Sequence, residues 1–540
     1  MDVCFYRFEK TLGYMLVANS KAMMHGLFTS SNLENSRVRT MNDVGVNSNG
    51  KFILYWMTSC RRFHYNAALQ HAISLSKALS KPILVVEAIS ITHKFANDRF
   101  LSFMVQGMMN NARDYQDNNI TYIPWVEIKE KPGNKMLASL SEHSSCVILD
   151  DYPTYTPNKI MKAAARKLNV RVDAVDSNGI IPMKWPEKEF TTAYSFRKYV
   201  QKNLLDSLQT IPAKNPMTDI DDNLLLSCDE LEFIKQEIGL ESTPLEWLWR
   251  VAEGGDVGDD AMADFSIDHT VPAVRTTKGG VDEARIRMQK FLNYKLNKYG
   301  SERNNPDNPA VSGLSPWLHF GHVSSFEIIE KVFLKENWSP DSLNHEDTGK
   351  GTRSGWWGTS ESASSFLDQI ITWRELGFNF AYNRPDHATI ETIPNWAKIS
   401  MNEHINDDRL LYTLDELEQA ETHDEIWNAA QRELVRTGQM HNYMRMLWGK
   451  KILEWSPDPE TAAERMIYIN DKWALDGRDP NSYTGIFWVL GRHDRAWGPE
   501  RPIFGKVRYM SSESAMRKLK LKNYLERYAK EETLTLAKFG

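Results

Sequence analysis

Short apolar runs alternate with amphipathic stretches through the first third of the chain. FILYWM at 52–57, PILVVEA at 82–88 and CVILD at 146–150 have the length and composition of buried strands, and a helical pattern follows the first of them at 66–79. This alternation is typical of parallel strands that are covered by helices on both faces. We therefore predict an α/β domain over residues 51–185. The first strand is not followed by GxGxxG, so a standard dinucleotide site is not expected there.

The second half of the chain has a different pattern. After about residue 280 strand-like runs become scarce and amphipathic helical patterns dominate, as at 281–299 and 440–454. We predict an all-α domain over residues 280–535, which follows a linker with helices over 186–279. The predicted fold class is an α/β domain with a Rossmann-like parallel sheet joined to this all-α domain.

Two segments lack a regular pattern. Residues 1–50 are poorly patterned, and we expect a disordered N-terminal extension there. Residues 349–365 are rich in Gly and Ser, which is typical of a mobile loop. The segment contains GKGTRSG, but its spacing is not that of the phosphate-binding motif GxxxxGK[ST].

The composition narrows the class of protein. The hydrophobic fraction of 41% and the charged fraction of 25% are those of a soluble globular protein. A net charge of −6 argues against a surface covered with cations, although a local basic groove remains compatible with it. The 4 cysteines show no CxxC spacing, which indicates a reducing compartment and no zinc or other metal site. No apolar run has the ~18 residues of a membrane span, and no secretory signal is present, so we expect an intracellular protein of the cytoplasm or nucleus.

Tryptophans, arginines and acids are concentrated at 441–510. Trp448 and Trp455 are seven residues apart and share one face of a helix, and Arg445 and Asp476 are candidates for an ion pair. Aromatic side chains interleaved with arginines can stack on bases or on a flat cofactor while neutralising phosphate. A Trp-rich core with ordinary surface ion pairs has the same composition, so both interpretations stay open at this point.

A second candidate site precedes a predicted helix. Ser312, Gly313, Leu314 and Ser315 can present backbone N–H groups and hydroxyls to a phosphate at a helix start. Ordinary N-caps have the same appearance. Arg303 lies just upstream and could bind the same phosphates.

Six segments taken together resemble one known family. They are SPWLHFGHVSS (315–325), FLDQIITWRE (366–375), THDEIWNAAQREL (422–434), GQMHNYMRMLWGKKILEW (438–455), NDKWALDGRDPNSYTGIFW (470–488) and HDRAWG…GKVRYM (493–510). In this order they resemble the class II cyclobutane pyrimidine dimer photolyases of the photolyase/cryptochrome superfamily, over about residues 50–530. The resemblance implies light-driven repair of cyclobutane pyrimidine dimers by electron transfer from excited reduced FAD. It also implies that the partner is DNA containing pyrimidine dimers, and we expect a monomer.

The resemblance further implies which residues hold the flavin. One group matches the positions that hold the phosphates and the ribityl chain: Tyr299, Arg303, Ser312, Gly313, Leu314 and Ser315. Arg445 and Asp476 match the pair beside the isoalloxazine ring. Asn470 matches an asparagine near flavin N5, where a side-chain amide can hydrogen-bond the ring.

Two further sets follow from the same resemblance. Trp448, Trp427 and Trp455 match the family's electron-transfer path, with Trp448 nearest the flavin. The positions that line the lesion pocket or brace the gap in the duplex are Trp373, Met446, Trp488, Arg495, Trp497 and Arg508. Flat apolar walls replace the stacking that a flipped-out dimer loses, and arginines suit phosphate contact.

One position departs from the family pattern. The resembled enzymes have an acid that contacts the dimer, and four residues before Trp373 this chain has Gln369. Glutamine can donate a hydrogen bond but no proton, and the adjacent Asp368 points about 100° around the helix. A cryptochrome-like blue-light photoreceptor with weak or no repair is therefore the alternative function. The α/β domain is expected to hold an antenna chromophore, either a deazaflavin or a folate.

Overall fold

The computed structural model describes residues 33–127, 133–218, 224–253, 262–263 and 265–530. Its N-terminal part contains a six-stranded sheet with the order β1-β6-β5-β2-β3-β4. The strands are β1 (Val38–Thr40), β2 (Phe52–Met57), β3 (Ile83–Ile89), β4 (Thr121–Val126), β5 (Ser144–Asp150) and β6 (Val172–Val175). All pairings are parallel except that between β1 and β6, which is antiparallel. The predicted α/β fold with a parallel sheet is confirmed.

The helices of this part cover the sheet and lead to the rest of the chain. They are α1 (Leu33–Arg37), α2 (Ala67–Leu79), α3 (Asp98–Gln116), α4 (Gly133–Glu142), α5 (Tyr155–Lys167), α6 (Ala193–Leu208), α7 (Cys228–Phe233) and α8 (Leu245–Glu253). The last three lie within the predicted linker.

From residue 281 onward the described elements are helical, as the predicted fold class requires. They are α9 (Val281–Tyr294), α10 (Tyr299–Glu302), α11 (Ser315–His319), α12 (Ser325–Lys335), α13 (Glu361–Leu367), α14 (Arg374–Asn383), α15 (Asn395–Glu403), α16 (Leu414–Glu418), α17 (Glu425–Thr437), α18 (Asn442–Glu454), α19 (Pro459–Trp473), α20 (Pro480–Val489), α21 (Ser512–Lys518) and α22 (Lys522–Arg527). A wider helical segment, Asp368–Trp373, joins α13 to α14. The domain boundaries themselves stay a prediction.

The run FILYWM is apolar throughout because both faces of β2 are buried. Phe52, Leu54 and Trp56 pack in the core on one face of the sheet. Ile53 and Tyr55 alternate with them and pack in the core on the other face. Side chains of a strand point to opposite faces in turn, so a central strand that is covered twice needs no polar position.

Arg99 of α3 joins the α/β part to the helical part. Its side chain is 2% exposed and donates to Trp473 O at 2.7 Å and to Val435 O at 2.7 Å. These carbonyls belong to the last turns of α19 and α17, where a helix has no partners of its own for them. One buried guanidinium therefore fixes two helix ends against α3.

The prediction for residues 1–50 is wrong for its described part. Residues 33–50 include α1 and β1, and β1 extends the sheet beside β6. Arg37 is 1% exposed and donates to Thr210 O at 2.7 Å and to Ile180 O at 2.9 Å. Residues 1–32 lie outside the described residues.

The segment 349–365 is also packed, so our prediction of a mobile loop is wrong. Trp356 and Trp357 are only 2% and 5% exposed. The backbone N–H of Gly351 donates to Gln201 of α6 at 2.8 Å. The end of the segment forms the first turns of α13.

Among the residues that the structure describes, no helix combines the length and the apolar character that a bilayer crossing requires. Within the same ranges, no group of three His, Cys, Asp or Glu side chains is placed to hold a metal ion.

Candidate functional site

Arg445 of α18 joins two of the predicted flavin residues. Its guanidinium donates to Asp476 Oδ1 at 3.0 Å and to Asn470 Oδ1 at 3.3 Å. The Arg445 side chain remains 27% exposed, whereas Asn470 at the end of α19 is buried. The structure therefore brings together three residues that the sequence separates, and it leaves the cation accessible to a ligand.

Asn470 is held by its neighbour Asp471. The Asn470 amide donates to Asp471 Oδ1 at 3.3 Å, and the same carboxylate oxygen accepts from the backbone N–H of Arg478 at 2.9 Å. Burial raises the pKa of Asp471, and the nearby Arg478 guanidinium opposes this rise. With its oxygen toward Arg445 and its amide toward Asp471, Asn470 has a fixed orientation.

The loop at 312–315 has the shape of a tight cradle. Gly313 has φ +63°, and a Cβ there would lie 2.7 Å from Nη1 of Arg287. Leu314 is 1% exposed and its backbone N–H donates to Ser312 Oγ at 3.4 Å. Ser315, the first residue of α11, is exposed. A side chain at position 313 would close the space beside this arginine.

Arg287 is a site residue that the sequence did not reveal. Burial lowers its pKa and the charge of Glu283 opposes this effect, but no carboxylate of the described chain lies within ion-pair distance of Arg287. Its guanidinium stacks over the ring of Trp317 at 4.8 Å. The pKa of Lys295 is lowered by burial and then by Arg287, so two positive charges lie close together near the loop. No motif surrounds Arg287; an unpaired arginine on α9 is visible only once the helix is placed.

Two contacts connect the predicted phosphate-binding residues with the turn that precedes α18. Gln439 Nε2 donates to Gly313 O at 3.4 Å. His441 Nε2 lies 3.0 Å from the carbonyl oxygen of Arg303. The Arg303 guanidinium in turn stacks over the ring of the buried Tyr299 at 5.5 Å. The predicted phosphate-binding residues are thereby held against the turn before α18, the helix that carries Arg445.

The three predicted path tryptophans form one buried chain of contacts. Trp427 Nε1 donates to Trp448 O at 3.0 Å, and its ring lies 5.4 Å from that of Trp455. The exposed fractions of Trp448, Trp427 and Trp455 are 3%, 0% and 2%. Because Trp448 is three residues after Arg445, both lie on the same side of α18.

The chain of rings continues to the surface. Tyr412 lies 5.2 Å from Trp455 between ring centroids, and its hydroxyl is 2.7 Å from Nδ1 of His423. His423 is exposed. Ring contacts therefore lead from Trp427 through Trp455 to solvent, and Trp427 is hydrogen-bonded to the backbone of Trp448.

Four of the predicted lesion residues form a stacked cluster of cations and indoles. Arg508 lies 4.8 Å from the ring of Trp497 and 5.7 Å from that of Trp488, and Arg495 lies 4.9 Å from Trp497. Beneath them, the buried Lys450 donates to Val489 O at 2.5 Å, and its Nζ is 5.5 Å from the Trp488 ring. Burial lowers the pKa of Lys450 to about 7.

Trp373 lies away from this cluster. Arg374, the next residue, interacts electrostatically with Asp479 at the start of α20. Phe380 contacts the guanidinium of Arg492, just beyond the end of that helix. The helices α14 and α20 therefore run side by side, with Trp373 and Trp488 at opposite ends. Both indoles are half-buried, and so is Met446.

Gln369 and Asp368 occupy different environments. Asp368 is buried and accepts from the Arg197 guanidinium at 2.7 and 3.1 Å. Gln369 is half-buried, and its side chain makes no hydrogen bond to another described residue. The acid beside Gln369 is therefore occupied in an ion pair and not available to a ligand.

A cavity of about 520 Å³ lies at the carboxyl ends of the parallel strands. Trp56 and Trp125 form an apolar wall with ring centroids 6.1 Å apart, and Arg478 of the helical part closes the cavity. Five buried atoms that belong to lining residues have no hydrogen-bond partner within the described chain: Arg478 Nη2, His93 Nδ1, Ser59 Oγ, Arg61 Nε and His319 Nδ1. Burial and Arg478 lower the pKa of His93 to about 3. A ligand with a flat apolar body and polar edges fits these walls.

No protein-family model matches the chain. The deoxyribodipyrimidine photo-lyase of Methanothermobacter thermautotrophicus is 31% identical over 494 residues, which cover 91% of this chain and 97% of that protein. The enzyme of the same name from Oryza sativa subsp. japonica is 31% identical over 513 residues, with 91% and 90% covered. A bacterial class III photolyase structure from Agrobacterium tumefaciens superimposes with a TM-score of 0.58 at 14% identity, covering 90% of this chain and 88% of that chain.

Proposed function

Since the chain belongs to the deoxyribodipyrimidine photo-lyase family, we propose that it repairs cyclobutane pyrimidine dimers in DNA with light, using bound FAD. The photolyase resemblance of the sequence is confirmed by relatives that match over nearly their whole length. Membership of class II rests on the sequence motifs and is part of the proposal. The monomeric state and the intracellular location stay predictions.

The described residues fit a flavin dinucleotide. Arg287 lies against the Gly313 cradle without a carboxylate partner among the residues that the structure describes, which suits a diphosphate. Arg445 is accessible while Asn470 and Asp476 hold it in place, which suits the polar edge of a flat ring. When bound, reduced FAD supplies the photoexcited electron that splits the dimer and takes the electron back afterwards, so no net redox change occurs.

The chain's own residues position the reactants and conduct charge. We assign Trp373, Met446 and Trp488 to the walls of the dimer pocket, with Trp373 and Trp488 at its two ends, where their half-buried apolar surfaces replace lost base stacking. Arg495, Trp497 and Arg508 brace the opened duplex, since their stacked cations can contact phosphate. Trp448, Trp427 and Trp455 would restore the reduced state of the cofactor from the surface.

The observation that carries this function is one junction on α18. Arg445 binds both Asn470 and Asp476, and the buried Trp448–Trp427–Trp455 path begins one turn away. An ordinary hydrophobic core does not require a solvent-accessible arginine or a series of tryptophans that extends toward the surface.

The test is blue-light repair of an oligonucleotide with one thymine dimer by reduced protein, with a dark control. We expect light-dependent loss of the dimer, and a clear drop for Trp488→Ala because one pocket wall is removed. Trp249→Ala is the matched control, since Trp249 is 55% exposed on α8. If the wild type binds flavin but does not repair, the function is wrong; if Trp488→Ala repairs normally, only the pocket assignment fails.

A blue-light photoreceptor is the second candidate, and Gln369 favours it. Gln369 replaces the expected acid, and Asp368 is held by Arg197 and cannot substitute for it. The variant Gln369→Glu discriminates between the candidates. A large gain in repair yield would favour a wild type adapted to sensing, whereas equal yields would show that an amide suffices for repair.

The cavity in the α/β part is our candidate for the antenna site. Its apolar tryptophan wall and its unpaired Arg478, His93 and Ser59 atoms suit a planar pigment with polar edges. A deazaflavin and a folate both have this character, so the choice between them stays open. Extraction of the purified protein and the absorption spectrum of the released pigment would decide between them.

A further inference from the structure

We propose that α6 and the Gly-rich segment beside it form a binding surface for the DNA backbone, next to the lesion pocket. We call it the helix–insert surface and define it by Tyr194, Lys198, Lys202 and Arg353. This proposal rests on the repair function proposed above and adds a second DNA contact to it.

Three members of the surface form one stripe on α6. Tyr194, Lys198 and Lys202 are four residues apart, so they lie one above the other along about 12 Å of helix. Tyr194 is 55% exposed and Lys202 is exposed, while Lys198 is half-buried with its Nζ 5.4 Å from the Tyr194 ring. The opposite side of α6, with Phe196 for example, is buried in the core.

Two glycines allow the insert to lie flat against this stripe. A Cβ at Gly351 would meet Lys198 Cγ and the Tyr194 ring at 2.8 Å, and one at Gly349 would meet Lys202 Cε at 2.6 Å. Both glycines have φ +78°, a conformation that side-chain residues rarely adopt. The Gly351 N–H also donates to Gln201, and Gln201 Nε2 donates to Thr352 O at 3.1 Å. The insert is thus fixed to α6, and it carries the exposed Arg353 two residues after Gly351.

The charge of the surface is not neutralised locally. Lys198, Lys202 and Arg353 have no carboxylate within ion-pair distance in the part of the chain that the structure describes. Lys350 is different, because it pairs with Asp347 at 3.1 Å, and we leave it out for that reason. A chain with a net charge of −6 therefore presents three cations without a carboxylate partner and an exposed aromatic ring on α6 and the insert packed against it.

The segment that carries the stripe contacts residues next to the proposed lesion pocket at two points. At the start of α6, Thr191 O lies 3.0 Å from Nδ1 of His493, two residues before Arg495. Along the helix, Arg197 pairs with Asp368, next to Gln369. A duplex held by Arg495 and Arg508 would extend over this neighbourhood, and lysines and arginines bind its phosphates without reading sequence. Continuity with the lesion pocket favours DNA over a protein or a membrane.

The experiment measures the salt dependence of DNA binding. Binding of a duplex with one thymine dimer, and of the same undamaged duplex, is followed between about 50 and 200 mM salt. The variant is Lys198→Gln/Lys202→Gln/Arg353→Gln. The control is Lys77→Gln/Lys81→Gln/Arg166→Gln, which removes three cations from helices and turns of the α/β part.

We expect the slope of log affinity against log salt to become shallower by about 0.9 for each lost phosphate contact, hence by about 2.7 in the triple variant. Both duplexes should weaken equally, because phosphate contacts carry no information about the lesion. For the single variant Lys202→Gln, the slope of log affinity against log salt should become shallower by about 0.9. Repair yield at saturating DNA should be unchanged.

Equal slopes for the triple variant, the control and the wild type would overturn the proposal. A weakening confined to the damaged duplex would also overturn it, since that would place these residues in the lesion pocket. Failure of the repair function is distinguishable, because a wild type without light-dependent repair still yields a slope. Flavin absorbance of each variant shows that it has folded.

Discussion

Glu375 gives the sharpest test of the electrostatics inside this fold. It lies two residues after Trp373 and is only 3% exposed. Its carboxylate accepts from the backbone N–H groups of Ile180 and Ile181 at 2.7 and 3.0 Å. Burial raises its pKa from 4.5 to about 7, against the opposing effect of these N–H groups and of Arg374.

The sign of the effect on stability follows from this pKa. A carboxyl group whose pKa is higher in the folded state binds its proton more tightly there, so folding is favoured while the group is protonated. The contribution is complete below pH 4.5 and is lost as the pH rises to about 7. A difference of about 2.5 in pKa at ~1.4 kcal/mol per unit corresponds to about 3 kcal/mol.

The perturbation is Glu375→Gln, which removes the titration and keeps the shape of the side chain. Near pH 4.5 we expect the variant to be less stable by about 1–3 kcal/mol, because the Gln amide nitrogen cannot accept from one of the two backbone N–H groups. By pH 8 the variant should have gained about 3 kcal/mol relative to the wild type. Chemical denaturation followed by tryptophan fluorescence at pH 4.5, 6, 7 and 8 measures this difference.

Glu464→Gln on the exposed side of α19 is the matched control for the loss of a carboxylate. If the difference in free energy of unfolding between Glu375→Gln and the wild type is constant with pH, the reasoning is refuted. Glu375 would then be an ionised carboxylate that its two N–H donors fully stabilise.

Two further predictions concern the site. Trp427→Phe removes the N–H that holds Trp448 O and one ring of the aromatic path; photoreduction of oxidised protein, followed by absorbance, should slow strongly, while chemically reduced protein repairs normally. Unchanged photoreduction would exclude Trp427 from the path. Lys450 has a pKa lowered by burial to about 7, so its charged form is disfavoured in the folded state and its contribution to stability rises above pH 7. Against Lys450→Met, the wild type should gain about 4 kcal/mol between pH 7 and pH 10 in denaturation experiments, and a pH-independent difference would contradict this.

The parts of the fold that the sequence predicted are those with strong local signals. β2 is a continuous apolar run because both of its faces are buried, and that requirement is visible in six consecutive letters. β1 has the sequence VRT and only three residues, so it has no pattern of its own. Its place in the sheet depends on β6, more than 130 residues away, and on the buried Arg37 that precedes it.

The insert shows how composition can mislead. Gly and Ser dominate residues 349–365, and such composition is common in mobile loops. Trp356 and Trp357 lie in the middle of it, and the burial of two large indoles outweighs the flexibility of the residues around them. The glycines serve a different purpose, since Gly351 permits close approach to α6.

The candidate site also has parts that sequence motifs predict and parts that arise only from packing. Arg445 and Asp476 belong to recognisable segments, so the family resemblance alone predicts that they lie together. Arg287 lies in an ordinary amphipathic helix, and its relation to Gly313 arises from packing between distant segments. The polar atoms in the cavity are equally non-local, because Ser59 and Arg478 come from opposite ends of the chain.

Arg478 makes the cavity and the candidate flavin site one connected unit. Its backbone N–H and its guanidinium both bind Asp471, and Asp471 holds the amide of Asn470, whose oxygen accepts from Arg445. The same side chain lines the cavity with one nitrogen unpaired within the described chain, and its guanidinium lies 3.5 Å from the ring centre of Phe100. A cavity ligand that accepts a hydrogen bond from Arg478 would therefore bind the residue that also holds Asp471, and Asp471 orients Asn470. For this reason a substitution of Arg478 disturbs both sites at once, and the two are separated only by substitutions further out, such as at His93 on the cavity side.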